Sequence, residues 1–154
     1  MFGALAYNQN KVDNEDAKVL FSNRMLLNED GNFSIGECMH SFEMQMPVQL
    51  STKKPIVHIS INPHPEDVLS DQQLTDIAQE YMQKLGYGNQ PYLVYKHEDI
   101  DRHHIHIVGL RVDKHCKSIP GKPCIGYARF GKIVCRGKLV HKTANRKRLC
   151  TLSL

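Results

Sequence analysis

The run "RHHIHIVGLRV", residues 102–112, constrains the fold of this chain more than any other stretch. In a strand alternate residues share a face, so Val108, Leu110 and Val112 point one way and Ile105 and Ile107 the other. A strand that is apolar on both sides has to be covered above and below, which predicts a central position in its sheet. Before it, "QPYLVYKHE" reads as a second strand, and the short acidic "DID" between the two runs predicts a hairpin.

Helical periodicity supplies the cover. "SDQQLTDIAQEYMQKL", residues 70–85, carries Leu74, Ile77, Ala78, Tyr81, Met82 and Leu85 on one face. Ser70 with Gln73 forms a capping box at its start, and Gly86 stands where a helix ends in a left-handed residue. "IGECMHSFEMQM", from 35 to 46, places Ile35, Cys38, Met39, Phe42 and Met46 at the same spacing and predicts a second helix, with His40 off its stripe. Between these, "KPIVHISINPHP" reads as a strand over 56–61 with His58 as its polar member, stopped by prolines that cannot donate to a ladder.

Charge divides the chain near Asp113. Residues 1–113 hold 9 Lys or Arg against all 16 Asp or Glu, a net of −7, whereas residues 114–154 hold 11 Lys or Arg and no acid. Such a basic segment reads either as a nucleic-acid-attracting tail or as a stretch outside the designed fold. Four of the five cysteines fall in it, and their number and spacing suit neither a disulfide framework nor a zinc ribbon, so all five are read as free thiols. No apolar run reaches the roughly 18 residues of a membrane span and the N-terminus lacks a secretory pattern, so the expected location is cytoplasmic.

Histidines concentrate where the two strands meet. Parity puts His104 and His106 on one face, and a turn centred on Ile100 and Asp101 makes residues whose numbers sum to 201 oppose each other, His97 facing His104 and Tyr95 facing His106. Opposed Cβ atoms lie roughly 4.5–5.5 Å apart, so His97, His104 and His106 can converge on one divalent ion. The plainer explanation, polar residues at a strand end, holds for His103. It weakens for the trio, which shares an otherwise apolar face where imidazoles without partners are costly. Glu98, Asp99 and Asp101 are placed either to hold an imidazole N–H from outside the ligand set or simply to make the turn.

A catalytic ion held by histidines serves several chemistries, so the nucleophile has to be sought separately. Three tyrosines qualify: Tyr7 in "GALAYNQNKV", Tyr95 beside the histidine face, and Tyr127 in the basic segment. A tyrosine facing a metal-bound phosphodiester can form a covalent phosphotyrosine without hydrolysis; the bland reading of Tyr7 is an aromatic packed at the start of a helix.

"HEDIDRHHIHIV" resembles the third motif, and "GALAYNQNKV" the first, of relaxases, the mobilisation nucleases of conjugative and mobilisable elements and members of the HUH endonucleases. From about residue 2 to 113 the chain is similar to the mobilisation relaxases of Bacteroides-type bacteria. The resemblance implies an α+β fold, an antiparallel sheet flanked by helices; Mg²⁺ or Mn²⁺ held by His97, His104 and His106; and Tyr7 attacking one DNA strand at an origin of transfer, with Asp99, or else Glu98, assisting it. It implies single-stranded DNA as partner, together with accessory mobilisation proteins. Lys96, Arg102 and Arg111 are the candidate DNA contacts, provided they gather on one face.

The expected organisation is a nuclease domain over 1–113 whose first strand is missing, then a basic, Cys-rich tail over 114–154 that is disordered or frame-shifted. Two readings compete: an active nicking transesterase, and an inactive fragment that binds metal and DNA non-specifically. A rolling-circle initiator would place its tyrosine after the histidines, at Tyr127. A nucleotide hydrolase would need a third histidine where Val108 stands.

Overall fold

The computed structural model describes residues 2–25, 33–50, 52, 54–63, 67–98 and 104–112, and the backbone alone of 126–129, 132–135, 138–139 and 150–153. Their elements run α1 (Gly3–Asp13), β1 (Ala17–Asn23), α2 (Ile35–Gln45), β2 (Ile56–Asn62), α3 (Asp71–Lys84), β3 (Tyr92–His97) and β4 (His104–Leu110), followed by the short strands β5 (Gly126–Arg129), β6 (Lys132–Cys135), β7 (Lys138–Leu139) and β8 (Cys150–Ser153). The class is α+β. The antiparallel body of the sheet has the order β1-β3-β4-β2, and the sheet continues through β8, β5, β6 and β7.

β4 lies between β3 and β2, as its two apolar faces require. Ile105 and Ile107 enter a core with Val57, Ile59 and Ile61 of β2 and Leu74, Ala78, Tyr81 and Met82 of α3. Val108, Leu110 and Val112 enter a second core on the opposite face, with Leu5 of α1, Cys38 and Phe42 of α2, and Leu93 and Tyr95 of β3. Each large apolar side chain removed from water in this way contributes about 1.5–3 kcal/mol.

The local signals fall where the periodicity put them. Ser70 and Gln73 form a reciprocal capping box, and Gly86 adopts φ 84° just beyond α3. Ser34 and Glu37 form a second box at α2, a start signal absent from the periodic reading of that helix. Among the described residues no helix is long and apolar enough to cross a membrane.

Candidate metal centre

The hairpin ladder pairs His97 with His104 and Tyr95 with His106, the register expected from a turn at Ile100 and Asp101, although residues 99–103 themselves lie outside the described ones. Three imidazoles consequently share one end of the sheet, on the α1 and α2 face. Their ring centroids stand 5.0 Å (His97–His104), 4.3 Å (His97–His106) and 5.1 Å (His104–His106) apart. One nitrogen from each lies within 4.8 Å of the others, and among the described residues this is the only His, Cys, Asp and Glu cluster of that kind. His97 and His104 are buried and His106 half-buried, so the group opens to solvent on the His106 side.

Ring orientations follow from their hydrogen bonds. The side-chain amide of Asn8 donates from Nδ2 to the Ala4 carbonyl at 2.7 Å, which leaves Oδ1 to accept from Nε2 of His97, also at 2.7 Å. His97 thus carries its proton on Nε2 and offers the lone pair of Nδ1. On the other side His58, diagonal to His106 across the β2–β4 ladder, sets its Nε2 2.8 Å from Nδ1 of His106. With the proton on Nδ1 of His106, its Nε2 is the nitrogen that faces a ligand. Burial pushes His58 below its ordinary pKa and so favours the neutral ring, which can accept this hydrogen bond. Neutral imidazoles whose far nitrogens are held by a carbonyl oxygen or another ring are what a histidine-bound divalent ion requires. The donor set fits such an ion, with positions left open toward solvent.

The tyrosines separate by burial. Tyr7, on α1, is 52% exposed, and its ring centroid lies 6.0 Å from that of His97. Tyr95 is fully buried, its hydroxyl donates to Oε1 of Gln9 at 3.5 Å, and burial drives its pKa far up, away from a nucleophile's needs. The side chain of Tyr127 lies outside the described residues.

Of the acids, Asp99 and Asp101 lie outside the described residues, as does Arg102. Glu98 is exposed; its amide donates to the Asp16 carbonyl and its carboxylate accepts from Lys96 at 2.8 Å. Lys96 points to the α3 face, away from the histidines, where its buried ammonium also meets Asp71 at 2.8 Å. Burial lowers its pKa, but the hydrogen bonds to Asp71 and Glu98 outweigh that and hold it above the ordinary value. Arg111 follows the far end of β4 and hydrogen-bonds Tyr87. The structure therefore brings together His97, His104, His106 and Tyr7, and leaves Lys96 and Arg111 apart from them.

Asn8 and His58 escaped the sequence reading as partners of the centre. His58 had a signal, being the only titratable residue of its strand. Asn8 had a subtler one: the buried stripe of α1 is Leu5, Asn8 and Gln9, and two amides on a helix's core face break the pattern in the way functional sites do.

A family model described as "Relaxase: MobA/VirD2-like, nuclease domain" matches residues 7–137, a span that starts at Tyr7 and contains all three converging histidines. Comparisons with curated proteins and with solved structures give no match.

Proposed function

The chain belongs to the relaxase family, with a MobA/VirD2-like nuclease domain, and on that premise we propose that it nicks single-stranded DNA at an origin of transfer through a 5′-phosphotyrosine on Tyr7. The observation that carries the reading is the meeting of three imidazoles beside an exposed tyrosine from another element. His97, His104 and His106 would hold a divalent ion, Mn²⁺ or Mg²⁺. When bound, that ion supplies a Lewis acid that neutralises the phosphoryl oxygens of the scissile phosphodiester.

The residues of the chain do the rest. The phenolic oxygen of Tyr7 attacks phosphorus, the bond from phosphorus to the 3′ oxygen breaks, and that oxygen leaves as the 3′ hydroxyl, taking a proton from solvent. The phosphodiester energy stays in the Tyr7–phosphate linkage, available for rejoining. Asp99 is the proposed acceptor of the phenol proton, with Glu98 the next nearest acid in sequence. Neutral imidazole donors accept a borderline ion such as Mn²⁺ more readily than Mg²⁺, which prefers oxygen. For Lys96 to touch DNA its ammonium would first have to leave Asp71 and Glu98, so its role in this scheme is to tie β3 to α3. Action belongs in the cytoplasm, where the DNA of a mobile element lies.

The test is a denaturing gel of the full chain incubated with Mn²⁺ and a 3′-labelled single-stranded oligonucleotide carrying the origin of transfer of its own element. A labelled protein–DNA adduct that disappears in Tyr7→Phe is expected. Salt-sensitive DNA binding without any adduct, in folded protein, would instead identify an inactive fragment.

A further inference from the structure

Resting on the metal-centre reading above, we propose that Asn8 is a positioning residue: it ties the helix bearing Tyr7 to the histidine centre, so that an ion bound there fixes where the tyrosine stands.

α1 has little of its own to hold it. It is 11 residues long, has no side-chain cap at Phe2 and has no acid in its first turn. Isolated helices of that length are marginal in water, so its placement is decided by tertiary contacts: the packing of Phe2, Ala4, Leu5 and Val12 on the second core, and the bonds of its buried amides, Asn8 and Gln9. Gln9 is spent on the Phe33 carbonyl, to which its Nε2 donates at 2.7 Å, and on the Tyr95 hydroxyl. Of the two amides it is Asn8 that reaches a histidine of the centre, through the 2.7 Å bond from His97 Nε2.

That bond responds to the ion. An imidazole that gives its Nδ1 lone pair to a cation loses electron density, and its Nε2–H becomes a charge-assisted donor, roughly twice as strong as a neutral one. Ion binding would thereby tighten the link from His97 to Asn8, and Tyr7 is the adjacent residue on the same helix. The coupling is reciprocal by linkage: a helix held by Asn8 orients His97 and raises the affinity for the ion. A merely structural asparagine would hold α1 equally with and without metal.

Hydrogen–deuterium exchange of the full chain with Mn²⁺ alone, paired with calorimetric Mn²⁺ titration, separates these roles in the wild type, Asn8→Leu and Asn8→Asp. Expected in the wild type is slower exchange across residues 3–13 on Mn²⁺ binding. Asn8→Leu should bind Mn²⁺ about 10–100-fold more weakly and show no slowing of α1 at saturation, while Asn8→Asp, which keeps an acceptor oxygen, restores both. Wild-type protein that binds Mn²⁺ with α1 unchanged overturns the tether and leaves the metal centre standing; no Mn²⁺ binding at all overturns both. Equal slowing in Asn8→Leu also overturns the tether, and should that variant fail to fold, the wild type and Asn8→Asp decide the question.

Discussion

Nε2 of His58, on β2, stands 2.8 Å from Nδ1 of His106, on β4, and the two rings lie 22° from parallel with their centroids 4.9 Å apart. His58 is not one of the three converging residues, so its place is behind His106, where a neutral His58 ring can accept a hydrogen bond from Nδ1–H of His106 and leave Nε2 of His106 toward the cluster. Replacing it with leucine removes the ring nitrogen that meets Nδ1 of His106. His58→Leu should weaken Mn²⁺ binding about 10–100-fold, and His58→Gln, which can offer a carbonyl oxygen, should recover part of the loss. Calorimetric titration of both variants measures this, and unchanged affinity in His58→Leu would remove His58 from the centre.

Tyr95 provides the contrast to Tyr7. Its hydroxyl is buried on a long 3.5 Å bond to Gln9, so Tyr95→Phe should cost no more than about 1 kcal/mol of stability. Adduct formation should persist in that variant. A gel on which Tyr95→Phe loses the adduct while keeping its thermal midpoint would reassign the nucleophile.

Asp71, at the start of α3, is gripped by Lys18 at 2.6 Å and Lys96 at 2.8 Å, and these hydrogen bonds hold its carboxyl below its ordinary 3.8. An acid depressed by folding contributes stability that is fully present above its ordinary value and lost as pH falls through it toward the folded value. The carboxylate is nearly half exposed, which discounts the contribution to about 1 kcal/mol. Thermal melts should show Asp71→Asn less stable than wild type at pH 6, with the gap closing below about pH 4. A gap that stays constant down to pH 3 would mean that ionisation is not its source.

Gly109 sits opposite Tyr92 in the hairpin, and a Cβ there would come within 2.9 Å of the Tyr92 Cβ and 3.4 Å of Met82 Cε. α3 packs that closely because the position has no side chain. Gly109→Ala should destabilise by about 1–3 kcal/mol, the usual range for overpacking, as read from urea unfolding. A neutral result would show that β3 and α3 move apart freely.

Much of the scaffold was legible locally. Alternation in residues 105–112 fixed β4 as a central strand, because each face needed its own apolar cover, and the capping box and Gly86 fixed α3 because both are short-range signals. The register followed too, since a short connection between two antiparallel strands leaves few ways to pair them, and it set His97 against His104. α1 was less legible. Its core face holds Asn8 and Gln9, so its periodicity is blurred, and nothing nearby in sequence says what those amides would meet.

By itself, then, the sequence determined the hairpin and its three facing imidazoles, because strand parity and turn geometry act over a few residues. Tertiary structure alone decided the rest: that Tyr7 stays exposed near His97 while Tyr95 is buried, that Asn8 and His58 hold two of the converging rings, and that Lys96 turns to Asp71 and Glu98. Those outcomes, in which Asn8 and His58 meet rings of the converging trio from outside it, depend on which elements pack on each face of the sheet. His97 and Asn8 are 89 positions apart, and only the docking of α1 on β3 brings an amide oxygen within hydrogen-bond reach of that ring.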